Sequence, residues 1–372
     1  MENNNYLKQA IKIVEELIKS EDNVDDNIIS FLLDSNKNTQ YTPEFMKNLC
    51  GEKISNNNLS GFTLLHKCVI LTAKYPNLNN ILRNYFNVCS EFHDSINITT
   101  KEGASALLLA SRNSKTNSTE ETVKLLIDAG SNVNLQANDG CTALLLASIY
   151  SKNKSTERTV KLLIDAGANV NLQCNGGLSA LHLASRNSRT KSTEGTIKLL
   201  IDAGANVNLQ DNYGQSALHL ASKYSGTKST EETVKLLVDT GANVNLQNNN
   251  GWSALHFASR YLETKSTEET LVILVLNGAN INLKNNNNKT PIDLLPNGFE
   301  KIKNMFTMIN KQKKYNKIIG ECVICFGELE SFTCNYNHHI CFECLARSKN
   351  KFCPICFEKF KLLKTTNNCF IL

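Results

Sequence analysis

The sequence has no run of about 18 apolar residues, the length that a membrane-spanning helix requires. It opens with the polar stretch MENNNYLKQA, which lacks the apolar core of a secretory signal. No Ser/His/Asp signature and no glycine-rich phosphate loop is present, so we expect neither a hydrolase nor a transferase with its own nucleophile, and we predict no catalytic residue. These absences predict an intracellular, cytoplasmic protein.

A dense basic face is also missing. The net charge of +5 equals that of residues 311–372, which contain ten Lys/Arg and five Asp/Glu, so the rest of the chain is neutral. Nucleic-acid binding normally requires clustered positive charge, so we expect no nucleic-acid partner. Asparagine runs at 3–5, 57–59, 248–250 and 285–288 are interpreted as a bias in coding composition.

The thirteen cysteines are unevenly distributed. Seven lie between Cys322 and Cys356, mostly in pairs two residues apart, and the other six are scattered singly. Close pairs in a chain without a secretory signal are typical of metal ligands in a reducing compartment rather than of disulfides.

An internal repeat dominates the middle of the chain. The phrase NVNLQ begins at 132, 169, 206 and 243, and glycines follow the same 37-residue period: Gly103, Gly140, Gly177, Gly214, Gly251 and Gly130, Gly167, Gly204, Gly241, Gly278. A fixed period of this size indicates stacked repeats that bury a core only against their neighbours.

Each repeat contains two apolar runs with helical spacing, such as SALHLAS (216–222) and TVKLLVDTG (233–241). The second run follows STEE at 118–121, 229–232 and 266–269, which we interpret as a capping box that begins with the serine. The glycine after the run fits a left-handed position beyond a helix end. The pattern therefore predicts helix, loop, helix and extended hairpin.

The segment GQSALHLAS…TVKLLVDTGANVNLQ resembles the ankyrin repeat, with five regular units from about residue 100 to 284. The family period is about 33 residues, so each unit carries about four extra residues between its helices: SKTN, SKNK, SRTK, SGTK and LETK. The resemblance implies that the histidines of the first helix are structural: His66, His182, His219 and His256. Leu108 and Leu145 replace this histidine in two units.

The resemblance also implies that protein partners touch the hairpin tips and the exposed side of the first helices. Aromatic and arginine side chains at interfaces often carry much of the binding energy. The residues that meet both conditions, and that we predict to bind a protein substrate, are Tyr150, Arg186, Tyr213, Tyr224, Trp252, Arg260 and Tyr261, with Arg112 as a further arginine.

The predicted fold class is mainly α, an ankyrin-repeat solenoid followed by a small zinc-stapled domain. Residues 1–57 are expected to form a helical N-terminal cap. The repeat array covers 58–309, with a divergent first unit and a C-terminal half-unit in which Asn288 takes the glycine position. A basic linker (310–319), the zinc domain (320–360) and a tail (361–372) complete the chain.

The cysteine cluster has the order C-x2-C-x8-C-x3-H-x2-C-x2-C-x8-C-x2-C, from Cys322 to Cys356. Structural zinc takes four such ligands in a closed tetrahedron, so eight ligands imply two zinc ions. The order resembles the RING finger, whose cross-brace implies one zinc on Cys322, Cys325, Cys341 and Cys344. The same resemblance implies a second zinc on Cys334, His338, Cys353 and Cys356. His338 has the family's spacing to Cys341, and His339 is the alternative.

RING proteins are ubiquitin ligases that bind a ubiquitin-conjugating enzyme, and the resemblance implies that Ile324 and Pro354 contact it. Active members often place Arg or Lys after the last cysteine, where this chain has Phe357. Two functions stay open: a ligase whose repeats bind substrate, or a non-enzymatic adaptor whose zinc domain is structural.

The sequence ends in CFIL, which fits a prenylation box at Cys369. We expect membrane association only if Cys369 is prenylated. The alternative is a short hydrophobic tail without modification.

Overall fold

The computed structural model describes residues 96–300 without interruption, isolated positions within 65–86 and 302–306, and the backbone of three short strands after residue 330. The chain divides into two compact units, Met1–Ala217 (unit 1) and Leu218–Leu372 (unit 2). The predicted cap (1–57) and linker (310–319) lie outside the described residues. In the part of the chain that the structure describes, no helix has the length and apolarity needed to cross a bilayer.

The middle of the chain is mainly helical. In unit 1, the helices α1 to α6 form successive pairs between residues 106 and 202: Ala106–Arg112 with Glu120–Asp128, Ala143–Tyr150 with Glu157–Asp165, and Ala180–Asn187 with Glu194–Asp202. First helices pack on first helices and second helices on second helices, so α3 contacts α1 and α5 while α4 contacts α2 and α6. The predicted order of helix, loop and helix is confirmed within this range.

Unit 2 continues the pattern with α7 (Ala217–Tyr224, which begins one residue before the unit boundary), α8 (Glu231–Asp239), α9 (Ala254–Arg260) and α10 (Glu268–Leu276). A short 3₁₀ helix at Ile292–Leu294 packs against α9 in the predicted half-unit. Asn288 has φ +58°, so it takes the left-handed conformation that glycine adopts at this position in the regular units.

Three short strands form an antiparallel sheet in the order β2-β1-β3: β1 is Ser331–Thr333, β2 is His339–Cys341 and β3 is Lys361–Leu362. In β1 and β2, Thr333 pairs with His339 and Ser331 with Cys341. The sheet therefore includes the first two residues of the segment that the sequence assigns to the tail.

The core of unit 1 repeats with the sequence period. Leu144 on α3 and Leu163 on α4 are almost fully buried, and their equivalents one repeat earlier and later are buried too: Leu107, Leu126, Leu181 and Leu200. Ala147 has no exposed surface, and its small side chain lets first helices approach closely. Each leucine buried in this way stabilises the fold by about 2 kcal/mol, and most of that burial depends on a neighbouring repeat.

The second helices begin one residue later than the sequence predicts. The N-cap is the threonine of the STEE phrase, and the hydroxyl of Thr119 accepts a hydrogen bond from the Thr122 amide at 3.1 Å. The same cap recurs at Thr156, Thr193, Thr230 and Thr267. The predicted capping box that starts at the serine is therefore wrong. The glutamates lie in the first turn instead, where they complement the positive end of the helix dipole.

The preceding serine is buried and joins neighbouring repeats instead. Ser155 donates to the Ser111 carbonyl at 2.7 Å, and its hydroxyl lies 3.1 Å from that of Ser114. Ser114 also lies 2.6 Å from the Thr159 hydroxyl. Ser192 repeats the first of these bonds with the Ser148 carbonyl, also at 2.7 Å. Ser155 and Ser192 each donate to a carbonyl of the previous repeat, which leaves Thr156 and Thr193 as the N-caps of the second helices.

The histidines are structural, as the resemblance implies, and they bridge repeats. Nδ1 of His182 accepts from the Ser179 amide at 3.2 Å, and Nε2 donates to the Gln215 carbonyl at 3.0 Å. Burial lowers the pKa of His182 below its usual value near 6.5 and lowers that of His66 to about 4. Both rings are therefore neutral at physiological pH.

Amide side chains of the NVNLQ phrase form ladders along unit 1. Asn134 donates to the Gly167 carbonyl at 3.2 Å and accepts from the Asn169 amide at 2.7 Å. Asn171 makes the equivalent pair of bonds one repeat later, to Gly204 and from Asn206. These asparagines satisfy backbone groups between repeats.

The variant His182→Leu tests the histidine bridge, because Leu145 occupies the same position in the preceding repeat. The folded pKa lies below the unfolded one, so stability from the neutral ring is complete above about pH 6.5 and is lost as pH falls. We expect the variant to have a lower melting temperature than the wild type at about pH 7.5, because it lacks the hydrogen bonds of the ring. Its melting temperature should fall less than that of the wild type between about pH 7.5 and pH 5. Thermal melts followed by circular dichroism measure both. An equal drop in the two proteins would show that the ring does not contribute.

Candidate protein-binding surface

The hairpin tip that contains Tyr213 is a hydrogen-bonded turn. The Asp211 carboxylate accepts from the amides of Tyr213 and Gln215 at 2.9 and 2.8 Å. The Gly214 amide donates to the Asp211 carbonyl at 2.8 Å, and its φ of +74° lies in the left-handed region that favours glycine. The turn leaves Tyr213 70% exposed. The equivalent positions in the neighbouring repeats carry Asp139, Gly176, Asn250 and Asn287, so Tyr213 is the aromatic member of the row.

In unit 2 the structure brings Trp252 and Tyr261 together around a residue that the sequence analysis missed. Phe257 lies on α9, with its ring centroid 5.1 Å from that of Trp252 and 6.5 Å from that of Tyr261. These rings and the hairpin asparagines Asn248, Asn250, Asn286 and Asn287 line a pocket of about 420 Å³. Phe257 could have been noticed in the sequence, because the same position carries leucine in the four preceding regular units: Leu109, Leu146, Leu183 and Leu220.

Tyr150 lies at the end of α3 rather than at a hairpin tip, and it is half-buried. Three cations surround its ring: Lys154 at 5.4 Å, Lys191 at 5.5 Å and the Arg112 guanidinium at 5.6 Å from the centroid. Cations over an aromatic ring are attracted by its electron-rich face. Arg186 is also half-buried, and it holds the Arg112 position two repeats later.

Tyr224 and Tyr261 lie at the ends of α7 and α9, and both are half-buried. The Lys223 ammonium lies 5.3 Å from the centroid of Tyr224 and 5.1 Å from that of Tyr261. Lys265 lies 5.0 Å from the centroid of Tyr261. Arg260, the last residue of α9, is exposed. The predicted binding residues therefore fall on two separate parts of the repeats, the hairpin tips and the ends of the first helices.

Two of the single cysteines, Cys141 and Cys174, lie beside the hairpins and are half-buried free thiols. Burial, the nearby Asp139 carboxylate and Cys174 raise the pKa of Cys141 to about 12. A thiol with so high a pKa is protonated at neutral pH, so Cys141 is a poor nucleophile.

The predicted zinc ligands, with one exception, lie outside the described residues, as do Ile324, Pro354 and Cys369. Cys341 is the exception, since its backbone lies in β2. Within the described positions of the chain, no group of three or more His, Cys, Asp or Glu side chains is arranged to hold a metal ion.

Comparison with known proteins identifies the repeat type. A family model described as "Ankyrin repeats (3 copies)" matches three overlapping segments, residues 115–194, 148–230 and 190–285. The structure is similar to the ankyrin repeat domain of Bcl-3, a unique member of the IkappaB protein family. The two are 26% identical over 67% of this chain and 99% of that chain, with a TM-score of 0.53. It is also similar to the human ASB11 ankyrin repeat domain, at 22% identity, 63% and 92% coverage and a TM-score of 0.49. No curated protein matches the sequence.

The variant Phe257→Leu tests the aromatic pocket, because it installs the residue that the preceding units use. We expect a stability loss below about 1.5 kcal/mol, as for other hydrophobic exchanges of similar volume. Trp252 is the only tryptophan of the chain, so its fluorescence reports on the pocket directly. Its emission should shift to longer wavelength as it loses contact with the ring at position 257.

The matched control is Phe306→Leu, which removes a fully buried ring that does not line the pocket. Its tryptophan emission should stay that of the wild type. The same shift in both variants would mean that Trp252 responds to general loosening rather than to the pocket.

Proposed function

Because residues 115–285 are ankyrin repeats, which generally bind proteins, we propose that the chain is a RING-type ubiquitin ligase whose repeats bind the substrate. The observation that carries the proposal is the order of eight ligands after the array, from Cys322 to Cys356. The order of these ligands resembles that of a RING finger. A fold alone does not determine an activity, so the proposed ligase function is inferred from this cluster and not from the repeats.

The donor set fits two structural zinc ions. Seven thiolates and one imidazole are soft and borderline ligands, which zinc prefers, and none of the eight is left over after two tetrahedral sites are filled. The ions supply the crosslinks that hold a domain too small to bury an adequate core. One set is Cys322, Cys325, Cys341 and Cys344, and the other is Cys334, His338, Cys353 and Cys356.

The proposal takes His338 rather than His339 as the ligand, because His338 has the RING family's spacing to Cys341. His339 pairs with Thr333 in the sheet, so residues 334–338 connect the two strands. This connection begins with Cys334 and ends with His338, the two residues that the proposal assigns to one ion.

The proposed mechanism needs no nucleophile from this chain. A RING finger binds the conjugating enzyme and holds its thioester-linked ubiquitin in a reactive orientation, so the rate comes from ordering the reactants. Ile324 and Pro354 form the apolar contact with the conjugating enzyme. Only residues 310–319 separate the proposed zinc domain from the array in the sequence, and the proposal takes this short separation to raise the effective concentration of the substrate.

One residue favours a second function. Phe357 stands where active ligases often have the Arg or Lys that bonds ubiquitin and the conjugating enzyme. The alternative is an adaptor whose zinc domain only folds or dimerises, while the repeats bind and mask a protein. The two functions differ in whether a conjugating enzyme binds.

Zinc content tests the metal sites without any activity. We expect elemental analysis of the purified full-length protein to return two zinc ions per chain. His338→Ala should lower zinc toward one ion or weaken its retention against a chelator, because a site loses one of its four ligands. His339→Ala is the matched control and should retain both ions. One ion or none in the wild type would contradict the proposal, and the reverse result for the variants would assign the site to His339.

Ubiquitin transfer tests the ligase. The full-length protein with zinc, activating enzyme, a panel of conjugating enzymes and ubiquitin should form ubiquitin chains. Ile324→Ala should slow transfer at unchanged zinc content, since it removes apolar contact but no ligand. Phe357→Arg should accelerate it, because it restores a charged donor at the position after the last ligand.

Zinc content serves as the folding control for both substitutions. If no member of the panel gives a product with either the wild type or Phe357→Arg, the adaptor is the better description.

A further inference from the structure

The extra residues between paired helices carry a concentration of positive charge in unit 1. Residues 113–118, 150–155 and 187–192 contain five cations and no Asp or Glu. All five are exposed: Lys115, Lys152, Lys154, Arg189 and Lys191. We call these five residues the basic edge. They are notable because the chain before residue 311 is neutral as a whole.

The contacts of the lysines leave their charge uncompensated. Lys115 Nζ donates to the Lys152 carbonyl at 3.0 Å, and Lys152 Nζ donates to the Arg189 carbonyl at 2.6 Å. The ammonium groups of Lys154 and Lys191 lie over the Tyr150 ring. Carbonyls and a ring hold the side chains in place but carry no negative charge, so the edge keeps its electrostatic field.

Nearby carboxylates are engaged elsewhere. Glu120, at the start of α2, accepts from the Thr156 hydroxyl at 2.5 Å and lies 3.3 Å from Arg158. Glu157 makes the equivalent bond with the Thr193 hydroxyl one repeat later. Lys161 on α4, by contrast, pairs with Asp165 at 3.0 Å, so its charge is balanced within its own helix.

The edge is a continuous row rather than scattered points. Besides the side-chain bonds, the Lys115 amide donates to the Lys154 carbonyl and the Lys152 amide to the Lys191 carbonyl, each at 3.0 Å. Packed helices lie about 8–10 Å apart, so cations recur along the row at about that interval. An extended peptide of the polyproline II type advances about 3.1 Å per residue with three residues per turn, so every third side chain lies on the same side and meets the next repeat.

We propose that the basic edge binds an extended acidic segment of a partner protein, with carboxylates at every third residue. The proposal rests on the repeats binding a protein partner, and it does not depend on ubiquitin transfer. An acidic peptide fits better than nucleic acid, because duplex DNA carries about one charge per 1.7 Å of axis and requires a denser array of cations. A membrane surface fits less well, since the inserted segments offer no large aliphatic side chain to enter the lipid.

The experiment measures binding of a labelled synthetic peptide with glutamate at every third position to the full-length protein, by fluorescence anisotropy. The edge variant is Lys115→Gln, Lys152→Gln and Lys191→Gln together, one change per inserted segment. The control variant is Lys124→Gln, Lys161→Gln and Lys198→Gln, one change on each second helix with the same loss of charge. All six lysines are exposed, and circular dichroism checks that both variants fold.

We expect the edge variant to bind the spaced peptide with a Kd at least about fivefold higher than that of the wild type, as loss of three exposed ion pairs predicts. The Kd of the control variant should change by less than about twofold. A peptide of equal composition with its glutamates in one block should bind more weakly to the wild type. Equal losses in both variants, no preference for the spaced peptide or no binding at all would overturn the proposal. So would tighter binding of a DNA duplex or of phosphatidylserine vesicles at the same salt concentration. Ubiquitin takes no part in this assay, so a negative result would contradict the peptide-binding proposal without contradicting the proposed ligase activity.

Discussion

Each repeat in unit 1 is completed by groups from the next one, and this constraint governs the rest of its structure. Several polar side chains that would lack a hydrogen-bond partner in an isolated repeat bond to a group in a neighbouring repeat. His182 reaches the Gln215 carbonyl, Asn134 reaches the Gly167 carbonyl, and Ser155 reaches back to the Ser111 carbonyl. Buried polar groups without partners are expensive, so these bonds fix the register between repeats as firmly as the leucines fix their distance.

The inserted segments show how one feature serves stability and recognition together. Their buried hydroxyls join repeats on the inside, where Ser114 contacts Ser155 and Thr159. Their lysines are fixed on the outside by carbonyls and by the Tyr150 ring, so positive charge is presented in an ordered row. A mobile lysine loses side-chain entropy when it binds, whereas one that is already positioned loses less. The longer period of this array therefore adds a charged surface apart from the hairpin tips.

The C-terminal part of the chain follows a different physical rule. The repeats fold by burying leucine against leucine, whereas the proposed zinc domain has too few residues for such a core and depends on metal ligation. The proposal also divides the work, since the repeats would select a protein and the zinc domain would bring the conjugating enzyme. Binding to the array and the proposed ligation would therefore be separable.

The sequence by itself determined the period, the helix pairs and the left-handed glycine positions, because these follow from local spacing and backbone sterics. It also determined the order of the eight proposed ligands. Only the tertiary structure decided that threonine rather than serine caps the second helices, that Phe257 joins Trp252 and Tyr261, and that lysines align beside Tyr150. These features depend on contacts with groups in another helix or a neighbouring repeat. Local propensity cannot register such contacts, because the partner groups approach only when the repeats pack.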